Sequence, residues 1–151
     1  MKYVAYSHCA GDKALTALLQ KEIGEAIAAI TIKPRRGTAS KVRAVFLSTL
    51  KSAGWSSEVT VAKGSDMTIT SMKDGVGLCL QTGNMARMYA DLMKLQTLYL
   101  DNAIKAAAIV VPSNPTAKLL GSNVADAKRL ERELSIFKKA YSVPTVVFGL
   151  E

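Results

Sequence analysis

Apolar residues recur at three- and four-residue steps in the first part of the chain. Leu15, Leu18, Leu19, Ile23, Ala26, Ile27 and Ile30 make one stripe, predicting a helix from about Asp12 to Ala29 with Asp12 as its cap. Pro34 and Gly37 interrupt regular structure. A second helix, about Ser40 to Ala53, turns Val42, Val45, Phe46 and Leu50 inward, and Gly54 is placed to end it. The period then changes. Val59-Thr60-Val61 is a short strand. Asp66–Lys73 and Val76–Thr82 flank Asp74-Gly75, a two-residue hairpin signal. Pairing Lys73 with Val76 sets Thr70 opposite Cys79 and Thr68 opposite Gln81, with all four on one side of the sheet. Asn84 caps a long helix reaching about Leu100, with Met85, Met88, Tyr89, Leu92, Leu95, Leu98 and Tyr99 on its apolar face. Ala107–Val111 reads as a buried strand stopped by Pro112, and Pro115–Leu120 as a short helix. Asn123–Ala140 reads as an amphipathic helix, and Pro144–Phe148 as a last strand. Helices, a hairpin, then helix–strand–helix–strand predict a mixed sheet with helices on both faces.

Length and composition narrow this further. At 151 residues, with 49% hydrophobic and 21% charged, the chain suits one domain with its own core and excludes a disordered or low-complexity class. Its net charge of +8 points to an anionic partner, nucleic acid first and a membrane surface second. Residues 1–64 carry a net of +6, so the basic character sits mainly there. The longest uncharged apolar stretch, Ala106–Val111, is far too short to span a bilayer, and the N-terminus has no apolar run like a signal peptide. Cys9 and Cys79 cannot make a disulfide framework. These features lead us to expect a cytoplasmic protein without membrane association.

Several familiar chemistries are missing. There is no GxxxxGK[ST] loop and no GxGxxG. One histidine and two distant cysteines exclude an ordinary structural zinc site. Cys79 with His8 would suit a nucleophile and base only if the fold joined them; otherwise Cys79 is a buried strand cysteine.

The stretch Ile69–Asn84, hairpin then helix, resembles the active-site hairpin of the BglII/BstYI-type restriction endonucleases of the PD-(D/E)-x-K nuclease superfamily. Tyr6-Ser7-His8, Gly54-Trp55, Val110-Val111-Pro112 and the closing run Val143–Gly149 match that family in the same order. The resemblance covers most of the chain, with a shortening between Trp55 and the hairpin. It implies one restriction-endonuclease-like α/β domain over 1–151, a mixed β-sheet with an antiparallel hairpin flanked by α-helices. Double-stranded DNA is the implied partner and a homodimer the implied unit. The family hairpin carries an aspartate, a glutamate and then a Glu or Gln, which hold a divalent metal beside the scissile phosphate. By the resemblance these positions fall on Thr70, Cys79 and Gln81. Magnesium favours anionic oxygens; a hydroxyl and a thiol do not replace two carboxylates, and losing both removes on the order of a thousandfold in rate.

The resulting expectation is a DNA-binding pseudoenzyme that needs no cofactor. One alternative is an active Mg2+-dependent endonuclease whose acids have moved. Asp66, four positions before Thr70, is the favoured candidate, with Asp74 in the turn and Asp91 on the next helix as others. Another alternative is a non-enzymatic partner of an intact homologue. For DNA, the candidates are Lys33, Arg35, Arg36, Lys41 and Arg43, five cations in eleven residues without an acid, together with Arg87 at the start of the helix after the hairpin. The plain reading of that cationic run is a solvated loop. Trp55, Tyr89 and Tyr99 read as core, as do Met85, Met88 and Met93. Lys128, Arg129, Glu131, Arg132 and Glu133 read as a solvent face with local ion pairs.

Overall fold

The computed structural model describes residues 1–151. Five strands form one mixed sheet: β1 (Tyr3–His8), β4 (Ser71–Lys73), β5 (Val76–Leu80), β6 (Ala106–Pro112) and β7 (Thr145–Leu150), in the order β1-β7-β6-β5-β4. The central pairs β5–β6 and β6–β7 are parallel, while β1 and β4 pair antiparallel at the two edges. The chain reaches each parallel neighbour through helical segments, as parallel pairing requires. Strands β5, β6 and β7 are buried along their whole length, which explains their unbroken apolar runs.

Alternating side chains of these strands feed two cores. Val76, Leu78, Leu80, Ala106, Ala108, Val110, Val146 and Phe148 pack against α2 (Ala17–Ala28) and α3 (Ala39–Ser52) on one face. Cys79, Ala107, Ile109, Val111 and Val147 pack against α4 (Met85–Leu100) and α6 (Ala127–Ile136) on the other. A short α5 (Asn114–Leu120), with a proline in its first turn, links β6 to α6. No helix is long and apolar enough to cross a membrane.

The hairpin turn is as expected: Asp74 and Gly75 both have positive φ, +48° and +74°, the pattern of a type I′ turn. Helix α3 ends at Gly54 (φ +86°), with the Trp55 N–H reaching back to the Leu50 carbonyl at 3.1 Å. Asn84 caps α4 by accepting from the Ala86 N–H at 2.8 Å.

Other expectations are corrected. The helix predicted over Asp12–Ala29 is two: α1 (Gly11–Ala14), then α2 after a break at Leu15 and Thr16. Leu15 turns extended and is buried, and Thr16 caps the new helix by accepting from the Leu19 N–H at 3.3 Å. Asp12 caps nothing; it lies inside α1 and its carboxylate accepts from the Ser7 hydroxyl. Gly11 is obligatory here, because any Cβ would collide with the backbone of Thr145. Strand β1 is not among the predicted elements; as an edge strand, it buries only alternate residues in part. The strand predicted from Asp66 to Lys73 is broken at Thr70. Thr68–Ile69 (β3) leaves the main sheet to pair with Val59–Thr60 (β2) in a separate ribbon. The last helix is shorter than predicted, opening at the Asp126 cap, and leaves Phe137 half-exposed. Leu18 and Met93 are exposed, not core.

Candidate functional site

Beyond the C-terminal end of β5 the chain opens into a polar cleft of about 440 Å³. Parallel strands present ligand crevices at this end. Ala39 and Arg43 of α3 form one wall, and Arg87, Asp91 and Lys94 of α4 form another. Thr68, Ile69 and Thr70 approach from the broken strand, Leu80–Gly83 from the end of β5, and Glu58 from the segment before β2. The break at Thr70 makes this space, because the hairpin ladder stops at Ser71 opposite Leu78.

Thr70 and Gln81 both reach the cleft, and each is already engaged. The Thr70 hydroxyl oxygen accepts from the Leu80 N–H at 3.0 Å, extending the ladder by one side-chain bond. The Gln81 amide is oriented by two bonds: its oxygen accepts from the Gly83 N–H at 3.0 Å, and its NH2 donates to Asp91 Oδ2 at 2.9 Å. Cys79 faces the same way but lies beneath the floor, 1% exposed within the α4 core. Burial, aided by the negative charge of Asp91, pushes its thiol far above the ordinary value near 9.0, so it stays protonated. The expected pairing of Thr68 with Gln81 does not form, because Thr68 pairs with Thr60 in the separate ribbon, and Cys79 lies deeper than Thr70 and Gln81.

The model of the restriction endonuclease BglII/BglIII family matches residues 3–150. The chain belongs to that family. BglII complexed with a DNA 16-mer superposes with a TM-score of 0.85 at 18% identity, covering 99% of this chain and 76% of that one. Free BglII superposes with a TM-score of 0.77 at 17% identity, covering 100% and 80%. No curated protein matches the chain in sequence.

The BglII/BglIII family membership makes a divalent metal the obvious occupant, and the residues present do not fit one. No group of three His, Cys, Asp or Glu side chains is gathered anywhere. Two carboxylates do line the cleft, and each has a cationic partner: Asp91 Oδ1 accepts from Lys94 Nζ at 3.1 Å, and Glu58 pairs with Arg43 at 3.4 Å. Thr70 supplies a neutral oxygen, Cys79 a buried thiol, and Gln81 presents nitrogen to Asp91. Asp66 is not on the face of a strand with Thr70. It lies exposed in the loop before β3, outside the cleft lining, because β3 is only two residues long. Asp74 serves the hairpin turn.

The basic candidates divide in two. Arg43 and Arg87 line the cleft, with Arg43 also donating to the Leu80 carbonyl at 3.3 Å. Lys33, Arg35, Arg36 and Lys41 are exposed on the loop into α3 and its first turns, next to Ala39 of the cleft wall, and form no ion pairs. Lys94 is the cation that sequence reasoning left out. An acid and a lysine three apart on a helix look like an ordinary surface pair. Only the docking of α4 turns them inward, leaving Asp91 8% exposed.

His8 and Cys79 are not joined, since β7 and β6 lie between their strands. Cys9 is nearer, with Sγ 3.3 Å from His8 Nε2. That same nitrogen lies 2.8 Å from the Tyr141 carbonyl, which can only accept, so it carries a hydrogen and is no base for Cys9. Trp55 is core, its indole N–H donating to Glu22 at 2.8 Å. Arg129 and Glu133 pair at 2.8 Å on α6, as their spacing predicts.

Proposed function

We propose that this chain binds double-stranded DNA over the cleft and the adjoining basic loop, and does so without ordinary magnesium-dependent cleavage. The observation that carries the reading is the donor set at the end of the hairpin. Where the resemblance puts two acids, one side chain is a hydroxyl bonded to Leu80 and the other a thiol under the floor. Hard divalent cations need anionic oxygens there. Binding needs only cations, which the cleft and the loop retain. The test is filter binding of duplex DNA at two salt concentrations alongside plasmid cleavage with magnesium and manganese. Salt-sensitive binding without nicking supports the proposal; cleavage that scales with purified protein overturns its second half.

A second reading has one observation in its favour. Asp91 is a buried carboxylate facing the cleft beside Gln81. An active endonuclease would use it in place of the family acids, and cleavage abolished by Asp91→Asn but not by Asp66→Ala would establish that. Family use of two-fold symmetric sites makes a homodimer the expected unit, and closed symmetry suits it. Sedimentation velocity distinguishes that dimer from a 16.1 kDa monomer.

A further inference from the structure

The cleft presents an ammonium ion where the family chemistry leads one to look for a metal. Lys94 Nζ sits 3.1 Å from Asp91 Oδ1, and the other oxygen of Asp91 is held by the Gln81 amide at 2.9 Å. Gln81 is itself fixed by the Gly83 N–H. Asp91 is therefore clamped from both sides and anchors the lysine. The Lys94 side chain is only 22% exposed, far less free than a surface lysine. An ammonium has three hydrogens, and Asp91 is the one protein acceptor that takes any of them. The remaining donors belong to an atom on the wall of an open polar cleft.

The rest of the lining completes the chemistry. Arg43, Arg87 and Lys94 oppose Glu58 and Asp91, three cations against two carboxylates, which leaves a formal +1. Arg87 has no protein partner, and Arg43 is held toward the cleft by its bond to the Leu80 carbonyl. A site with that balance and several unused N–H donors suits one phosphodiester group, a monoanion with two free oxygens.

We infer that Lys94 is a built-in cation in this cleft: anchored by Asp91 and Gln81, it holds a backbone phosphodiester together with Arg43 and Arg87, with no divalent ion required. This inference rests on the DNA-binding reading above and adds to it the contact point and its independence from metal. A fixed lysine cannot leave with a chelator, so adding magnesium should bring no gain in affinity over EDTA, only the weakening any added counterion causes. Asp91→Asn removes a negative charge from the lining while its amide oxygen can still accept from Lys94, so it should tighten DNA binding, opposite to its effect on a metal site.

The test is fluorescence anisotropy of a labelled duplex at low salt, in EDTA and in magnesium, for the wild type and four variants. The wild type should bind no more tightly in magnesium than in EDTA. Lys94→Gln should weaken binding about tenfold and reduce the salt slope by roughly one, while Lys94→Arg keeps most of the affinity. Lys118→Gln, an exposed charge outside the cleft, should change Kd by less than about twofold and controls for net charge. Asp91→Asn should tighten binding severalfold. Equal effects of Lys94→Gln and Lys118→Gln overturn the inference while leaving DNA binding intact. So does a large gain in affinity on adding magnesium that Asp91→Asn abolishes. Absence of any wild-type binding removes the DNA-binding reading and this inference with it.

Discussion

Thr70 satisfies the Leu80 N–H at the point where the hairpin ladder stops. Removing that hydroxyl leaves a buried donor without a partner, which costs about 1–3 kcal/mol. Thr70→Val should therefore lower stability by about 1.5 kcal/mol in urea titrations, and Thr70→Ser should restore most of it. An unchanged midpoint in the valine variant would mean that water replaces the bond. Cys79 makes a second prediction. Burial and the charge of Asp91 raise its pKa, whereas Cys9 is exposed. A maleimide at neutral pH should add one label to the native chain and two in denaturant, read by intact mass. Both positions follow from the Asp-Gly turn and its pairing register. Lys94 does not, because beside Asp91 it reads as one half of an ordinary surface pair until α4 is docked on the sheet.

The elements were legible where periodicity and turn chemistry agreed, as in α3, α4, β6 and the hairpin. They were misread where a single side chain overrode the stripe. Thr16 restarts the first helix, and the stripe runs on through the break because Leu15 is buried on either reading. The joint between α2 and the hairpin was also invisible in one dimension. Lys73 Nζ donates to Glu22 at 2.7 Å and to the Ala53 carbonyl at 2.6 Å, while Trp55 donates to the other oxygen of Glu22. Burial alone would raise the Glu22 pKa, but the hydrogen bonds from Lys73 and Trp55 outweigh it and bring the carboxyl below its ordinary value near 4.5. The folded state then binds fewer protons than the unfolded state, so this joint stabilises above that value and weakens as pH falls below it. Lys73→Met should cost about 2 kcal/mol at neutral pH. The difference from wild type should shrink in denaturant melts below about pH 4. A constant difference across that range would assign the loss to packing instead of charge.

The molecule as a whole is a basic α/β body, net +8, that places Arg43, Arg87 and Lys94 in one cleft beyond the end of β5. Its family could be read from the order of short motifs, since no single one is specific and the fold keeps them in sequence along most of the chain. Charge sets how strongly it should respond to salt. If about five phosphates are neutralised, affinity should fall several-hundredfold between 50 and 200 mM salt, and a flat response would rule out the electrostatic contact. What the composition could not show is that the two carboxylates of the cleft are each already paired with a cation. The most direct trial of that point needs no DNA: calorimetric titration of manganese into the purified chain. We predict no saturable binding up to millimolar ion. A stoichiometric site lost in Asp91→Asn would contradict the account.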